Sequence, residues 1–577
     1  MPGGLLNLIS YGQENILLTG NPKKTFFTCS YKKHTNFGLQ RFRIDYKGQK
    51  TLSFNSETDF EFTIPRYGDL LNDTYIVLNL PDIWSPIFSC MLNSKGTDIS
   101  NNFIPYQFQW CKHLGAKMIK EISITSGGSI LSKYSGEWLY TCIERDETGK
   151  KELWNRMIGH EPRLYDPASV NHGFYPNAQY ISPTKKCEPS IKGRKLYIPL
   201  MSWFCNNPKS ALPLIAIQYQ EITIKVSFNP IKDLFTIMDL PPNSIFEKDI
   251  SNVFINYNEK EIRGGWPNSV NNKDIRRAPK KANMYENLWV FLQPPPIGST
   301  TYPGATPITD EYIKKNEWSV DLHLIGTYIF LSDEERECFS GSNHDYLIKQ
   351  IYEHDFENIT GSTRVDILAR NMVSNLIFRF RRSDVYLRNE WYNYSNWAWE
   401  DKIPYEISRK NLRLTSQSTP YQASEINGFL GEFKVENNKN ILLDMGILCG
   451  EQYRESILDY GVYEYVEKWN KTTGIAKDGL YMYNFCLNTS RFDYQPSGAQ
   501  NVNKWKFITF EFNTLEPPRN PNFKSDINLF CNSDNIIEGV RKNIYEMNKY
   551  NYDLKIFEER YNVIKIQSGQ IGLLHAR

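Results

Sequence analysis

The sequence lacks a long uninterrupted apolar segment and the features of an exported chain. No run reaches the roughly 18 apolar residues that a membrane-spanning helix needs. No basic stretch precedes the apolar residues near the N-terminus, where the first lysine is Lys23, so the pattern does not match a signal peptide. The ten cysteines are scattered without a CxxC pair, which is typical of reduced thiols. We therefore expect a soluble protein made in the cytosol.

An excess of charge of one sign is also missing. The 67 basic and 65 acidic residues give a formal net charge of +2. Binding along a nucleic acid needs concentrated positive charge, so the composition predicts no specific nucleic-acid partner. Two local basic clusters are interpreted as a solvated loop rather than a polyanion site, and as the basic face of a strand rather than a nucleic-acid groove: Arg276, Arg277, Lys280 and Lys281, and Arg379, Arg381 and Arg382.

Motifs for catalysis and ligand binding are absent from the sequence as well. The eight histidines are dispersed, and the nearest pair, His344 and His354, lacks the spacing of a zinc site. The segment Gly474–Gly479 has the glycines of a phosphate-binding loop, but leucine follows it where that motif requires lysine. Acidic pairs such as Glu558 and Glu559 are interpreted as solvated. We predict no catalytic residue, no cofactor and no metal site, and therefore no enzyme.

What the sequence does contain is β structure. Aromatic residues make up 14% of the chain, and short alternating runs recur in both halves. Lys47-Gly48 predicts a hairpin that joins the first of these runs to Leu52 and Phe54. Helices are expected after Ser135, between Ser332 and Gly341, and over Gly539–Lys549. Period-two alternation predicts strands at Phe42–Tyr46, Phe60–Ile64, Ile119–Ile124, Ile222–Phe228, Val320–Leu324, Ile377–Phe380 and Ile508–Phe512.

Two stretches of equal length share one layout. Leu196–Phe228 and Leu480–Phe512 both begin with Leu-Tyr, carry a polar break with proline, and end on an alternating strand. Chance similarity between two β-rich stretches is one explanation. The other is an internal duplication, in which one β-fold occurs twice in the chain. With seven or more short strands in each half, the pattern indicates two sandwiches or jelly rolls.

The predicted organisation has three parts. Residues 1–25 form an N-terminal arm that gains order by lying on its own domain or on a neighbour, although an ordinary first strand and loop would also fit. Residues 26–235 form the first jelly roll, and residues 236–577 form the second. The second contains a loop insertion at 240–315, which is rich in proline, asparagine and glycine.

Several long stretches are similar to one protein family and follow its order along nearly the whole chain. They are GGLLNLISYGQENILLTGNPKKTFFTCSYKKHTNF, IPRYGDLLNDTYIVLNLP, LGAKMIKEISITSGGSILSKYSGEWL, LYIPLMSWFCNNPKSALPLIAIQYQEITIKVSF, DLHLIGTYIFLSDEERECFSGSNHDYLI and YNVIKIQSGQIGLLHA. On these motifs the chain resembles the major capsid proteins of nucleocytoplasmic large DNA viruses, most closely the mimivirus-like branch. It departs from the family at 240–315 and 385–450, and at RNMVSNLIF, where the family usually has an Asn-His-Pro-type turn.

The resemblance implies an all-β fold: a tandem double jelly roll of two eight-stranded β-sandwiches, with a few short helices and long surface loops. It further implies a homotrimer with a pseudo-hexagonal outline that tiles the icosahedral shell of a virion assembled in the host cytoplasm at viral factories. In the family the arm lies at the base, facing minor capsid proteins and the internal membrane. The segments 240–315 and 385–450 are the candidates for the loops that crown the outer surface.

Two other functions compete with a major capsid protein. One is a paralogue of the same fold, such as a minor capsid protein or a scaffold, and abundance in purified virions would separate it from the first. The other belongs to a different class, a carbohydrate-binding β-sandwich, which exposed aromatic residues such as Trp391, Trp397 and Trp399 suggest.

Overall fold

The computed structural model describes residues 3–48, 51–85, 106–172, 175–176, 188–239, 276–279, 286–292, 318, 320–401, 435, 438–492, 495–505, 507–520, 528–531, 537–541 and 547–575. Within these ranges the strands are β1 (Phe37–Asp45), β2 (Thr58–Thr63), β3 (Leu70–Asn79), β4 (Tyr106–Trp110), β5 (Ile119–Ser126), β6 (Ser129–Ser135), β7 (Lys195–Pro199), β8 (Leu212–Pro213), β9 (Ile222–Phe228), β10 (Phe235–Asp239), β11 (Arg276–Arg277), β12 (His323–Leu331), β13 (His344–Ile359), β14 (Ser362–Ile367), β15 (Met372–Arg382), β16 (Leu442–Cys449), β17 (Gln452–Asp459), β18 (Leu480–Asn484), β19 (Gln500–Asn501), β20 (Ile508–Thr514), β21 (Asn528–Cys531), β22 (Ile537–Arg541), β23 (Tyr552–Gln567) and β24 (Gln570–Leu573).

The helices in the same ranges are short. The α-helices are Gly4–Ile9, Ile16–Thr19, Leu114–Met118, Gly136–Asp146, Lys151–Met157, Pro162–Tyr165, Pro167–Val170, Trp203–Asn206, Asp333–Gly341 and Glu467–Lys471. Single turns of 3₁₀-helix cover Gln13–Asn15, Pro208–Ser210, Leu214–Ala216, Ile231–Asp233, Leu288–Phe291 and Ser383–Leu387, and a π-helical turn covers Val462–Val466. None of the helices described here has the length and apolar character to cross a membrane.

The first sandwich consists of two antiparallel sheets that face each other across a hydrophobic core. One sheet has the order β1-β12-β3-β7, with β8 also paired to β3, and the other has the order β2-β9-β5-β6. Counted along the chain as strands 1 to 8 of this sandwich, the members are β1, β2, β3, β5, β6, β7, β9 and β12. The sheet orders are then 1-8-3-6 and 2-7-4-5, which is a jelly roll.

The second sandwich repeats this arrangement. Its sheets have the orders β13-β23-β15-β18 and β14-β20-β16-β17, with β19 and β24 added at the margins of the first. Strands 1 to 8 are here β13, β14, β15, β16, β17, β18, β20 and β23, so the orders are again 1-8-3-6 and 2-7-4-5. The predicted all-β double jelly roll is confirmed.

The internal duplication is confirmed by the positions of its two stretches. Leu196–Phe228 contains β7 and β9, and Leu480–Phe512 contains β18 and most of β20. These strands are numbers 6 and 7 of their respective sandwiches. The alternation within β9 is also visible in its burial, because Ile222, Ile224, Val226 and Phe228 are buried in the core.

The predicted boundary at 235/236 disagrees with the strand pairing. Strand β12 lies between β1 and β3 and pairs with both, so a strand from well beyond residue 236 completes the first sandwich. The segment 240–315 therefore belongs to the connection between strands 7 and 8 of the first sandwich, and not to the second. The link between the two sandwiches is the helix Asp333–Gly341.

Two local predictions are wrong for a related reason. The strand predicted at Phe42–Tyr46 lies in β1 as far as Asp45, but its partner is β12 and not Leu52–Phe54. Gly539 lies in β22, which pairs with β21, so the helix expected over Gly539–Lys549 does not begin there; residues 542–546 lie outside the described ranges. In the first case a long-range pairing overrides the local pattern, and in the second the pairing of β22 with the nearby strand β21 does so.

Each sandwich has two distinguishable ends. Neighbouring strands are antiparallel throughout both sandwiches, and short turns such as Gly127-Gly128 link successive strands. The connections 1–2, 3–4, 5–6 and 7–8 therefore share one end, which we call the upper end. Connections 2–3, 4–5 and 6–7 share the lower end, where strand 1 also begins. The two glycines suit their turn, because both have positive φ angles, +54° and +82°.

The arm and the long connections leave from opposite ends. Strand β1 begins at Phe37, and none of the side chains described between residues 3 and 36 is buried. The arm therefore leads away from the lower end of the first sandwich and is longer than predicted. The connection with 240–315 and the connection that ends at β16 lie at upper ends, and β16 shortens the predicted loop 385–450 at its C-terminal side.

Candidate functional site: the junction between the two sandwiches

The helix Gly136–Asp146 connects strands 5 and 6 of the first sandwich and forms the centre of the junction. Ser135 caps its N-terminus, because the Ser135 hydroxyl accepts a hydrogen bond from the Trp138 amide at 3.2 Å. Gly136 is required at the first position, since a Cβ there would lie 2.1 Å from the Ala116 carbonyl oxygen. The sequence expectation of a helix after Ser135 is confirmed, and this helix packs on the second sandwich.

The helix covers the outer face of the second sandwich's 1-8-3-6 sheet. Trp138 lies against Phe557 of β23, with ring centroids 5.5 Å apart. On the covered face, Phe557 pairs with Ile377 and Ile377 pairs with Met482 across neighbouring strands. All of these side chains belong to the same hydrophobic cluster as the core of the first sandwich. Burial of one continuous apolar cluster therefore holds the two sandwiches together.

A buried carboxylate links the helix to basic residues of the second sandwich. Glu137 accepts two hydrogen bonds from the Arg379 guanidinium, at 2.6 and 2.9 Å, and a third from the Tyr394 hydroxyl at 3.1 Å. Arg381 and Lys555 lie within 4 Å of the same carboxylate. Burial alone would raise the pKa of Glu137, but these cations outweigh it and hold the pKa well below its usual value.

A second buried ion cluster lies at the other end of the same helix. The Arg145 guanidinium contacts Asp146 at 2.7 Å and Glu559 of β23 at 3.0 Å, and Asn375 donates to the same Glu559 carboxylate. Lys349 lies 3.8 Å from Glu559. Burial would lower the pKa of Arg145, but Asp146 and Glu559 raise it well above its usual value. Both clusters are paired, as buried charges must be.

Backbone hydrogen bonds join the two sandwiches at both ends. At the upper end, the amides of Gly474 and Ala476 donate to the carbonyls of Arg145 and Glu144, at 2.7 and 2.8 Å. At the lower end, the Tyr219 amide donates to the carbonyl of Gly569 in the turn after β23, at 3.2 Å. The upper end of one sandwich contacts the upper end of the other, and the two lower ends are also in contact. The sandwiches therefore stand side by side in the same orientation.

The segment Gly474–Gly479 thus has a structural role in place of phosphate binding. A Cβ on Gly474 would lie 2.5 Å from the Arg145 carbonyl oxygen, so only glycine permits this contact. Gly479 has a φ of +78°, and its amide donates to the Glu464 carboxylate at 2.7 Å. The glycines that suggested a nucleotide loop serve close backbone approach.

The described members of the basic clusters singled out in the sequence are buried or half-buried, and Arg277, Arg379 and Arg382 pair with carboxylates. Arg379 lies at the junction, and Arg382 is bonded to Asp384 at 2.7 and 2.9 Å. Arg277 forms two hydrogen bonds with Glu286, at 2.7 and 2.8 Å, so the interpretation of a solvated loop is wrong at this residue. Lys280 and Lys281 lie outside the described ranges. Arg379 and Arg381 form a basic face of β15 that faces the first sandwich and not the solvent, whereas Arg382 lies on the opposite face.

The three tryptophans proposed as exposed aromatics are half-buried. The Lys117 ammonium lies 3.6 Å from the centroid of the Trp391 ring, and the Trp391 indole donates to the Asp233 carbonyl at 2.8 Å. Trp391 borders a depression of about 990 Å³, but Lys117 occupies one ring face. The three tryptophans therefore do not form the exposed aromatic surface on which the carbohydrate-binding hypothesis rests.

The junction also contains a small cavity. Its volume is about 80 Å³, and its lining includes Trp138, Lys349, Arg491 and Glu559. Pockets for drug-sized ligands occupy roughly 300–1,000 Å³, so the space is too small for such a ligand. His344 and His354 bond to the Phe339 carbonyl and the Glu558 carboxylate, and no metal-binding cluster occurs within the described ranges.

The sequence analysis did not identify the charged residues that hold the two sandwiches together at the junction. Glu558 and Glu559 were interpreted as solvated, yet both are buried, and neither Glu137 nor Arg145 was singled out. One signal was present. In β15 and β23, apolar residues occur on both faces of the strand, next to the charged ones. A strand with one face in water does not need apolar residues on that face.

Comparisons with known proteins agree with the geometry. A family model described as the N-terminus of the major capsid protein matches residues 25–257, and one described as the large eukaryotic DNA virus major capsid protein matches residues 335–572. A probable capsid protein of Acanthamoeba polyphaga mimivirus is 26% identical over 406 residues, which cover 64% of this chain and 70% of that protein. The major capsid protein of Paramecium bursaria Chlorella virus 1 is 22% identical over the full length of both chains.

A solved structure shows the same fold. The capsid model of the same chlorella virus superposes with a TM-score of 0.56 at 17% identity, covering 96% of this chain and all of that chain. Four further capsid proteins of large DNA viruses align over only 40–55% of their own length. Fold and family models together define a double-jelly-roll capsid protein. The chain belongs to the family of major capsid proteins of large eukaryotic DNA viruses.

Proposed function

We propose that three copies of this chain form a pseudo-hexagonal capsomer that tiles an icosahedral shell, and that the chain acts as a structural subunit and not as an enzyme. One observation carries the proposal: two sandwiches of identical strand order stand side by side, in the same orientation, within one chain. Three such chains around a threefold axis present six similar units. Closed rings of this kind are the usual outcome of subunit association.

The polarity of the two ends supports the orientation of the capsomer in a shell. The arm leaves the lower end and exposes apolar side chains, including Leu8, Leu17 and Phe27. Large exposed apolar surfaces mark interaction sites, which suits a base that faces minor capsid proteins or the internal membrane. The connections with 240–315 and 385–441 leave the upper ends, which suits an outer crown. We further propose that assembly takes place in the host cytoplasm at viral factories.

Size-exclusion chromatography with light scattering tests the trimer directly. The expected mass is about three times the 67.5 kDa of the chain at micromolar concentration, and negative-stain images should show six-lobed particles. A strict monomer would contradict the proposal. Abundance in purified virions then separates a major capsid protein from a minor paralogue or a scaffold.

Deletion of residues 1–24 tests the role of the arm. Because none of its described side chains is buried, we expect the variant to retain the trimer and the wild-type unfolding temperature while shell assembly is impaired. The matched control keeps the full chain length and replaces only the apolar residues Leu8, Leu17 and Leu18 by serine. If the deletion unfolds the protein, the arm belongs to the core.

A further inference from the structure

Two histidines stack on each other at the upper end of the junction. The imidazole rings of His113 and His160 lie nearly parallel, with ring centroids 3.7 Å apart. His113 belongs to the 3–4 connection of the first sandwich, and His160 belongs to its 5–6 connection. His113 is buried, and its φ angle of +51° lies in the left-handed region, which is uncommon for a residue other than glycine. The pair therefore occupies a fixed position inside the protein.

The hydrogen bonds at this position require both rings to be neutral. The His113 amide donates to Nδ1 of His160 at 3.2 Å, so this nitrogen presents a lone pair and carries no proton. Nδ1 of His113 is buried and has no hydrogen-bond partner among the described residues, so a proton on it would lack an acceptor. Two imidazolium rings this close would also repel each other. Burial lowers the pKa of His113 well below its usual value and that of His160 to about 3, in agreement with the geometry.

The stacked pair contacts the second sandwich through aromatic rings. Tyr392, from the 3–4 connection of the second sandwich, lies edge-on to His113 with ring centroids 5.2 Å apart. Tyr140, from the helix at the centre of the junction, has its ring centroid 4.4 Å from that of Tyr392 and 4.5 Å from that of His113. Tyr165 stacks on His160 at 4.8 Å. The two neutral histidines are thus part of an aromatic group that joins the upper ends of the sandwiches.

The charged groups that act on the pair form ion pairs with each other. These ion pairs are Lys112 with Asp401, Lys477 with Glu400, and Lys151 with Glu144, at 2.5, 2.5 and 2.6 Å. Beyond burial, each of the three lysines lowers the pKa of both histidines, and Asp401 raises that of His160 less strongly. An added positive charge on either ring would therefore lie beside cations, next to the ion pair of Lys112 and Asp401 that links the two sandwiches.

We propose that His113 and His160 form an acid-sensitive latch, in which the neutral stacked rings hold the upper ends of the two sandwiches together and their protonation releases this contact while each sandwich stays folded. Released rings are exposed to water, where a histidine has a pKa of about 6.5. Below that pH the released state binds more protons than the docked state, so acid favours release. From pH 6.5 to pH 5 each histidine shifts the equilibrium by roughly tenfold or more. The latch lies within one chain and is independent of the proposed trimer.

Hydrogen exchange at several pH values tests the latch in the full-length protein. Protection is expressed relative to the unfolded chain at each pH, for peptides that contain Gly474 and Ala476 at the upper end and Tyr219 at the lower end. We expect upper-end protection to fall roughly 100-fold from pH 6.5 to pH 5, because both histidines contribute, while protection at Tyr219 changes little. This pH range lies above the one in which Glu137 loses its charge. An equal fall at both ends would contradict a local latch.

Two substitutions remove the titrating groups while preserving one feature of the site each. His160→Asn keeps an acceptor for the His113 amide, and His113→Phe keeps a stacked ring. Each should reduce the fall in upper-end protection to roughly tenfold, and the double variant should show no fall. His172→Asn is the matched control, because His172 is exposed and also has a positive φ angle, +55°; it should behave like the wild type.

The compared quantity is the ratio of protection at the two pH values within each variant. A variant that is less stable at both pH values therefore still gives a result. If the double variant loses upper-end protection as steeply as the wild type, these histidines are not the latch. If His172→Asn removes the fall as well, the effect does not come from the stacked pair.

Discussion

Glu137 pairs the helix that joins the sandwiches with cations of two strands, Arg379 and Arg381 of β15 and Lys555 of β23. Its side chain is 16% exposed and that of Arg379 is 2% exposed, so their pair is largely removed from water. Removing one partner of a buried pair leaves the other charge uncompensated, which costs about 3–5 kcal/mol. Here two further cations, Arg381 and Lys555, would lose the same counter-charge.

Glu137→Gln should therefore lower the free energy of unfolding at pH 7 by about 3 kcal/mol, measured by chemical denaturation. Glu152→Gln is the matched control, because Glu152 pairs with Arg156 on the surface and such pairs contribute under about 1 kcal/mol. Equal effects of the two substitutions would contradict a special role for the buried pair.

The effect of Glu137→Gln should also depend on pH. The folded pKa of Glu137 lies below its unfolded value, so its contribution is fully present above about pH 4.5 and is lost as the pH falls towards the folded pKa. The difference in stability between wild type and variant should shrink steadily from pH 5 to pH 3. A constant difference over this range would show that the carboxylate charge is not responsible.

Lys468 should also make stability rise with pH, but on the alkaline side. Burial lowers its pKa to about 8, and its ammonium donates to the Lys477 carbonyl at 2.9 Å. Between about pH 8 and pH 10.4 the unfolded chain binds more protons at this residue, so stability rises with pH. Relative to Lys468→Met, the wild type should gain about 1–2 kcal/mol from pH 8 to pH 10. If the stabilities of the wild type and of Lys468→Met change in parallel with pH, this prediction is wrong.

At the scale of single elements, the strands could be predicted because their alternation is local. The run from Ile222 to Phe228 is a strand in the structure as the sequence predicts, and the helix from Asp333 to Gly341 lies where the signals at Ser332 and Gly341 place it. Ser332 makes no side-chain cap, so the acidic first turn and not the hydroxyl is the better explanation of that start.

Strand partners could not be predicted in the same way. The turn at Lys47-Gly48 suggested a neighbour a few residues away, whereas β1 pairs with a strand some 280 residues later. The burial of Arg379 and Glu559 is missed for the same physical reason. A charged residue on an alternating strand has the same local pattern whether water or another sandwich covers that face.

Gly474 offers a prediction about the docking of whole elements. A methyl group at Gly474 would collide with the backbone of Arg145, which has no freedom to move as a side chain does. Gly474→Ala should lower the free energy of unfolding by about 1–3 kcal/mol, the range for overpacking. Hydrogen exchange should rise in Gly136–Asp146 and in β15. Gly341→Ala is the control, since no atom lies within 4 Å of a Cβ there; matching effects would contradict the argument.

At the scale of the whole molecule, the strand that completes the first sandwich comes late in the sequence. Strands 1 to 7 of that sandwich end at Phe228, and strand 8 arrives only at His323, between β1 and β3. Without β12, β1 has no neighbour in its sheet and is separated from β3 and β7. Such non-local pairing makes folding slow, because a long loop must close first. By this pairing the first sandwich extends from β1 to β12, and the second from β13 to β23.

Two fragments should distinguish this boundary from the one at 235/236. A fragment of residues 26–235 lacks the central strand β12, so it should show no cooperative thermal transition and should aggregate through the open edges of β1 and β3. A fragment of residues 26–343 contains all eight strands and should unfold cooperatively, at a lower temperature than the full chain because the helix Gly136–Asp146 loses its cover. Calorimetry measures both. If the shorter fragment unfolds cooperatively and the longer one does not, strand β12 is not what completes the first sandwich.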